Sequence, residues 1–410
     1  MEKVDEEAVM ALVTAGRKKA LIVGAGIGGL TAALFLQRNG WETVIFEKKS
    51  SLDSQGAGIV LAANAIHVLQ ELGLAEQVKQ AGACVGQADI RTWDGRPITA
   101  VPVKRQAELY GTYSYLIHRA KLQAILAGRL QAGTALHLRS TMVAVDQDEH
   151  RITARFEDGT AETGDVLIGA DGIHSAVVRE LFPIRPLRYS GYTAFRGVTP
   201  FTDAEYSLEA GGGFESWGSG KRFGFSQLGE GLVFWFAAIN APEGMAVPDR
   251  KDYVLQQFGG WQKPIEAVVR ATDSASILRH DIYDCEPLDH WSRSRVVLLG
   301  DAAHAMLPNL GQGGAQAMED AFVLAACLQE AEELSATGIA AAYRAYEGIR
   351  LPRANRVLRQ SRRMARMVQM QHPFAMSIRN RVLRFVPDAV TVKQLHWLLG
   401  YRVSTIERQV

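Results

Sequence analysis

A short apolar strand that runs into spaced glycines and straight on into a helix leaves a chain few folds to adopt. Residues 20–29 read Ala-Leu-Ile-Val-Gly-Ala-Gly-Ile-Gly-Gly, so a buried strand meets Gly24-x-Gly26-x-x-Gly29, with Gly28 inside the same turn. The apolar helix Leu30-Thr-Ala-Ala-Leu-Phe-Leu follows, and then a second strand, Thr43-Val-Ile-Phe-Glu47. Glu47 stands about 20 residues beyond Gly26, the interval expected of a carboxylate that grips a ribose hydroxyl. A lone glycine fingerprint is weak. Here strand, helix and carboxylate accompany it, which points to a dinucleotide held on a parallel α/β sheet.

A second stretch repeats the logic near the other end of the chain. The strand Arg295-Val-Val-Leu-Leu-Gly300 delivers Asp301, and Pro308-Asn-Leu-Gly311-Gln312-Gly313-Gly314 leads into a segment of helical periodicity from Ala315. Three glycines in four positions at a helix start expose backbone N–H groups where the macrodipole favours negative charge. The structural alternative for this segment alone is a turn that needs positive φ. Between the two stretches lies Gly169-Ala-Asp171-Gly172-Ile-His-Ser175, at the end of the strand Asp165-Val-Leu-Ile.

Taken together, these three segments resemble the group A flavoprotein monooxygenases, the para-hydroxybenzoate hydroxylase-like family that includes urate and salicylate hydroxylases and zeaxanthin epoxidase. The resemblance covers nearly the whole chain. It implies an α/β fold: a Rossmann-like FAD-binding domain, a second and mainly antiparallel β substrate domain, and C-terminal helices. The expected division is 1–184 and 279–349 for the two parts of the FAD-binding domain, 185–278 for the substrate domain and 350–410 for the helical region. The implied cofactor is FAD, with NADH or NADPH as a transient co-substrate. Only one glycine fingerprint follows a strand and opens a helix, so the nicotinamide has no Rossmann unit of its own.

The resemblance also assigns residues. Gly24, Gly26, Gly28, Gly29, Glu47 and Lys48 belong to the first loop; Gly56 to Val60, including Gly58 and Val60, lie beside the flavin. Arg119, in Tyr115-Leu-Ile-His-Arg119, reaches the flavin, where a guanidinium opposite a pyrophosphate makes a bidentate donor. Val143, Asp171, Gly172, Asp301, Gly311, Gln312, Gly313 and Gly314 complete the cofactor set. Asp301 would bond the ribityl or ribose part, and Pro308 would shape the loop beside the ring. Asp171 reads equally as the cap of a helix over 173–181, which needs no cofactor.

From Arg185 to about Leu278 the composition shifts to aromatics and alternating strands, expected to form a sheet with one face over the flavin. Arg222 is the charged exception and the candidate for steering substrate. Phe225, Phe234 and Trp235 are candidate substrate contacts, although most rings here suit a core. In urate hydroxylases an arginine of this strand is joined by a tyrosine on the next; Phe234 occupies that tyrosine's place, which argues against urate itself.

Composition narrows the rest. Of 410 residues 45 are basic and 44 acidic, a net charge of +1 that gives no argument for nucleic acid or acidic partners. Cys84, Cys285 and Cys327 show neither Cys-x-x-Cys nor metal-like spacing, so no metal and a reducing, cytoplasmic compartment are expected. Residues 1–19 lack the order of a secretory signal, and no 18-residue apolar run suggests a spanning helix. Ten arginines and no acid lie between Arg350 and Arg384, opposite Ala354, Val357, Leu358, Ser361, Ala365 and Val368. A domain-bridging helix is the favoured reading of that pattern; peripheral membrane contact is the alternative.

The activity so implied is an NAD(P)H-consuming hydroxylation or epoxidation, in which a flavin hydroperoxide delivers one atom of O2 to a small aromatic or apolar substrate. The alternatives are a flavin reductase or dehydrogenase without oxygen insertion, and a non-catalytic FAD-binding module. A halogenase lacks its Trp-x-Trp-x-Ile-Pro motif here.

Overall fold

The computed structural model describes residues 18–52, 57–183, 185–203, 212–331 and 333–405. Gln55 and Gly56 of the second glycine-rich loop lie outside the described residues.

Four-residue runs such as Ala20–Val23 and Val166–Gly169 are buried along their whole length, as strands covered by helices on both faces must be. They form the middle of a six-stranded sheet ordered Ser292–Arg293, Val296–Leu298, Val166–Gly169, Lys19–Val23, Glu42–Glu47, Ala135–Leu138. All neighbours are parallel except the short outer strand Ser292–Arg293. The helices Ile27–Arg38 and Gly313–Gln329 cross closely beside this sheet. A methyl group on Gly28 would lie 2.7 Å from Leu299 Cδ1 and 3.1 Å from Ala317 Cβ, so the crossing needs glycine there. Phe35 and Phe322 meet edge to face 5.1 Å apart along the same contact.

The second layer is a seven-stranded sheet ordered Leu278–Cys285, Leu187–Pro200, Leu232–Asn240, Lys221–Gly229, Gly213–Trp217, Asp89–Thr92, Pro97–Ala100. Every pair is antiparallel except Gly213–Trp217 with Asp89–Thr92. Two pieces assigned by sequence to the FAD domain, the hairpin at 89–100 and the strand Leu278–Cys285, therefore belong to this sheet. Period-two alternation divides its side chains. Phe195, Phe214, Phe223, Phe225, Val233 and Trp235 pack on one face against the helices Arg250–Phe258 and Ile265–Ala271. Tyr192, Ala194, Phe236 and Ala238 stand on the other, with Leu307 and Ala365.

This placement corrects two readings. Trp235 is fully buried, donates from Nε1 to Thr272 Oγ1 at 2.8 Å and stacks on Phe223; Phe225 stacks on Phe214. Both are enclosed in the core, because the helices over 250–271 cover the face they occupy.

The helix Ala336–Val368 ties the sheets together over 33 residues, about 50 Å of rise. Tyr343 and Tyr346 donate to Arg295 O and Leu298 O at the parallel sheet, while Val368 packs with Trp217 and Ile98 of the antiparallel one. Three of its arginines are engaged within the fold: Arg353 lies 3.7 Å over the Tyr401 ring, Arg356 3.9 Å over Trp397, and Arg362 reaches Asp284, while Arg359, Arg363 and Arg366 are exposed. The bridging expectation matches this arrangement. Among the described residues no helix is long and apolar enough to cross a membrane.

Candidate active site

Three loops from the parallel sheet converge, and the third of them meets the Tyr192 face of the antiparallel one. At the first, steric crowding lies inward and space outward. A methyl group on Gly29 would sit 1.9 Å from the Gly24 carbonyl oxygen, and one on Gly24 2.4 Å from that of Ala170, whereas nothing lies within 4 Å of such a group on Gly26. Gly24 holds φ at 107°, which favours glycine. The helix Ile27–Arg38 starts with no side-chain cap, so its first N–H groups face outward unclaimed by its own sequence. Glu47 accepts from Ala25 N and Lys49 N, each at 3.0 Å. The carboxylate expected at a ribose thus also braces the loop. Lys48 is exposed beside it, and Val143, at 50% exposure, is open to solvent.

At the second loop Asp171 Oδ2 accepts from Ala176 N at 2.6 Å and Val177 N at 3.3 Å, but the helix runs over Ala176–Leu181 rather than 173–181 and Ser175 holds its N-cap position, accepting from Val178 N at 3.0 Å. Its other oxygen, Oδ1, is buried with no partner. Burial pushes the carboxyl pKa up, against hydrogen bonds from Ser175 and the two amides. Gly172 follows with φ 81°.

The third loop begins at Gly300, φ 61°. Asp301 opens the short helix Asp301–His304; its carboxylate is exposed and, among the described residues, unpaired. A methyl group on Gly313 would lie 3.9 Å from Asp301 Oδ1, which sets that carboxylate beside the start of the helix Gly313–Gln329. Pro308 is exposed and heads the 3-10 turn Pro308–Leu310, and Gly311 turns the chain at φ 62°. Gln312 is a departure from expectation in one respect: its side chain is buried, accepting from Asn64 Nδ2 at 2.9 Å, so only its backbone faces the crevice side. A methyl group on Gly314 would meet Ile59 Cδ1 at 2.8 Å, and one on Gly311 would lie 3.8 Å from Val60 Cβ.

Beneath this loop runs a buried ionic network that sequence reasoning missed. Arg350 donates to Glu319 Oε2 at 2.5 Å and Asp320 Oδ1 at 2.7 Å, and Arg353 to Glu319 Oε2 at 2.7 Å. Asn64 donates to Glu319 Oε1 at 2.7 Å. Asp320 Oδ2 accepts from Gly300 N at 2.9 Å and is hydrogen-bonded to His304 Nε2 at 2.6 Å. The available signal was the pair Glu319-Asp320 in an otherwise uncharged helix.

Burial raises the Asp320 pKa, but His304 and Arg350 outweigh it and bring it down to about 2. A carboxylate with a depressed folded value contributes stability that is present above its unfolded pKa, about 3.9. We expect the unfolding free energy to fall as pH drops from about 4 to 2, and Asp320→Asn to flatten that segment of the profile. Denaturant titrations across this range check it.

The overhanging face closes the crevice. A methyl group on Gly58 would lie 2.8 Å from Phe234 Cγ, so that ring rests on the strand Gly58–Leu61. Tyr192 donates its hydroxyl to Asn309 Oδ1 at 2.8 Å. Arg222 is 5% exposed, 5.3 Å from the Phe236 ring and paired with Glu215 at 3.0 Å, with its Nε buried and unpartnered. It is therefore a buried, partly neutralised cation rather than a free one at a strand start. Arg119, exposed at the first position of the helix Arg119–Ala127, makes no ion pair among the described residues.

Comparison with known proteins agrees with this geometry. A family model described as "FAD binding domain" matches residues 17–196 and 272–361. Aurachin C monooxygenase/isomerase of Stigmatella aurantiaca is 39% identical over 382 residues, covering 92% of this chain and 97% of that protein. A 3-amino-4-hydroxybenzoate 2-monooxygenase of Streptomyces cremeus is 35% identical over 382 residues, covering 92% and 94%. Klebsiella pneumoniae HpxO complexed with FAD and uric acid superposes with a TM-score of 0.85 at 27% identity, covering 95% of this chain and 97% of that one. The crevice fits such a cofactor on its own evidence: two uncapped or glycine-led helix starts open outward, Asp301 is an unclaimed acceptor, and Asp171 Oδ1 is orphaned.

Proposed function

The chain belongs to the para-hydroxybenzoate hydroxylase-like family of FAD-dependent monooxygenases, and from that premise we propose how its residues divide the work. The activity is an NAD(P)H-consuming insertion of one atom of O2 into a small aromatic or apolar organic molecule. This supersedes the readings as a reductase or a non-catalytic module. FAD, when bound, supplies hydride acceptance and oxygen activation.

The protein supplies binding, orientation and exclusion of water. The N–H groups opening the helices Ile27–Arg38 and Gly313–Gln329 favour negative charge, the first on phosphate and the second on the reduced ring. Glu47 and Asp301 accept from ribose and ribityl hydroxyls, and Arg119 offers its unpaired guanidinium to phosphate. Gly172, Val60, Val143 and Lys48 complete the cofactor's surroundings, and Pro308 shapes the loop under the ring. Residues 1–184 and 279–349, without the two pieces that join the antiparallel sheet, hold the cofactor; the sheet across 185–278 carries the substrate. Phe234, against Gly58, and Arg222 face it. Relatives named for 3-amino-4-hydroxybenzoate and a neighbour bound to uric acid support a polar aromatic ring as substrate. Unpaired thiols at Cys84, Cys285 and Cys327 go with a reducing, cytoplasmic setting.

The observation that carries this reading is the unpaired Asp301 carboxylate beside Gly313, at the loop whose Asn309 accepts from the Tyr192 hydroxyl. Asp301→Ala is expected to weaken FAD binding by about 1–3 kcal/mol, the cost of leaving hydroxyl donors unmade. Fluorescence titration of the apoprotein with FAD checks it; an unchanged affinity assigns Asp301 to the loop alone. Monooxygenation itself is tested by product mass.

A further inference from the structure

The basic run that begins at Arg350 crosses two helices, and the fold treats them differently. The helix Ala336–Val368 buries its less polar side against both sheets, whereas the helix Pro373–Arg384 leaves an apolar side uncovered. Phe374, Ile378 and Val382, at i, i+4 and i+8, fall on one side of that helix, and its cap Phe385 continues the stripe. All four are exposed. Phe385 at 76% and Phe374 at 70% are the most exposed large apolar side chains among the described residues.

The other side of this helix is fastened to the antiparallel sheet. Arg379 is buried, donates from Nη1 to Met367 O at 2.9 Å and lies 4.7 Å from the centre of the Trp217 ring, while Leu383 packs with Ile98, Trp217 and Val368. The stripe is therefore held toward solvent by packing behind it, and a contiguous apolar patch so placed marks a surface that something covers. Charge says what kind of cover suits it. Ten arginines and no Asp or Glu lie between Arg350 and Arg384. Arg381 and Arg384 are exposed on the same helix, and among the described residues neither pairs with a carboxylate; Arg384 donates to Pro97 O at 3.2 Å. Arg359, Arg363 and Arg366 are exposed on the helix before it. The first acid beyond the stripe is Asp388, in a groove it shares with Lys104, Arg105 and Glu108.

We propose that the helix Pro373–Arg384 docks the protein on an anionic lipid surface, with Phe374, Ile378, Val382 and Phe385 entering the headgroup layer and Arg381 and Arg384 meeting lipid phosphates. A second copy of the chain fits this face less well. Two such stripes packed together would bring the arginines of both copies into one patch with no acid on either helix to offset them. The area is also small: a 12-residue helix rises about 18 Å and is about 10 Å across, roughly 200 Å² of contact, against about 800 Å² per partner in a stable protein interface. A lipid surface needs no complementary relief and accepts a short apolar stripe bordered by cations. The docking does not depend on which molecule is oxygenated, nor on the reaction itself.

The test is flotation of the FAD-loaded enzyme with two kinds of vesicle, phosphatidylcholine alone and phosphatidylcholine mixed with phosphatidylserine. At low salt, partition onto the serine-containing vesicles is expected to exceed that onto the neutral ones by about 10- to 30-fold, the gain of two arginines at a negative surface, and to fall as salt screens them. The double variant Phe374→Ser, Phe385→Ser should bind neither vesicle. Arg381→Glu, a change of two charges, should cut the anionic preference by about 10-fold or more. Both variants change exposed side chains only, so FAD content and NAD(P)H oxidation in lipid-free buffer should stay at wild-type level. Wild-type enzyme that floats with neither vesicle would overturn the proposal, as would flotation that persists in the double variant or an anionic preference unchanged by Arg381→Glu. A wild type that sediments as a dimer, becomes monomeric in the double variant and ignores vesicles would overturn it in favour of a second copy. Failure of the functional reading is distinct, because flotation needs no turnover: a protein that floats as expected but inserts no oxygen leaves the docking face in place.

Discussion

Arg350→Ala is expected to destabilise the protein by about 3–5 kcal/mol, the range found when one partner of a buried ion pair is removed and the other charge is left behind. Arg350, Glu319 and Asp320 are all fully buried, and the guanidinium also donates to Gln316 Oε1 at 2.8 Å. Its loss leaves Asp320 with His304 and the Gly300 amide, and Glu319 with Arg353 and Asn64. Because Gly300 precedes Asp301 and Asn64 holds Gln312, the same change should loosen the third cofactor loop. Denaturant unfolding with and without FAD checks both effects. A cost under about 1 kcal/mol would mean that water or a shifted Arg353 replaces the guanidinium readily.

Gly29→Ala is the second large effect. A methyl group 1.9 Å from Gly24 O forces the helix start and the loop apart, an overpacking cost of about 3 kcal/mol, or roughly a 100-fold weaker hold on FAD. Gly26→Ala supplies the contrast. Its backbone is extended, with φ −71° and ψ −179°, and a methyl group there meets nothing within 4 Å. That variant should fold with wild-type stability yet bind FAD less well, because the space it fills is the cofactor's. If Gly26→Ala bound FAD normally, the pyrophosphate would not pass over this turn.

The contrast also shows what a sequence displays. Gly24 and Gly29 are legible because each answers a local steric demand that only glycine meets, Gly26 because it completes their spacing, and the flanking strand and helix have their own periodicities. Asp301 and Gly311–Gly314 are legible for the same reason, since strand, loop and helix start are contiguous. The Glu319–Asp320–Arg350 network is not: its partners lie 30 and 31 residues apart on different helices, and Arg350 reads as the first of a basic run. Alternation in the strands Lys221–Gly229 and Leu232–Asn240 separates Arg222 and Phe234 from Phe225 and Trp235. It cannot say which set meets the cofactor. That depends on the helices Arg250–Phe258 and Ile265–Ala271 covering the second set. The parallel pairing of Asp89–Thr92 with Gly213–Trp217 joins segments more than a hundred residues apart, and nothing local in either announces it.

The most direct measurement is the fate of the oxygen. FAD-loaded enzyme is given NADH or NADPH, heavy-isotope O2 and compounds that stimulate its NAD(P)H oxidation, and the products are weighed. The account predicts a product heavier by one oxygen atom that carries the isotope, formed in step with NAD(P)H consumption. NAD(P)H oxidation that yields hydrogen peroxide alone with every stimulating compound, or a product whose added oxygen comes from water, would contradict it.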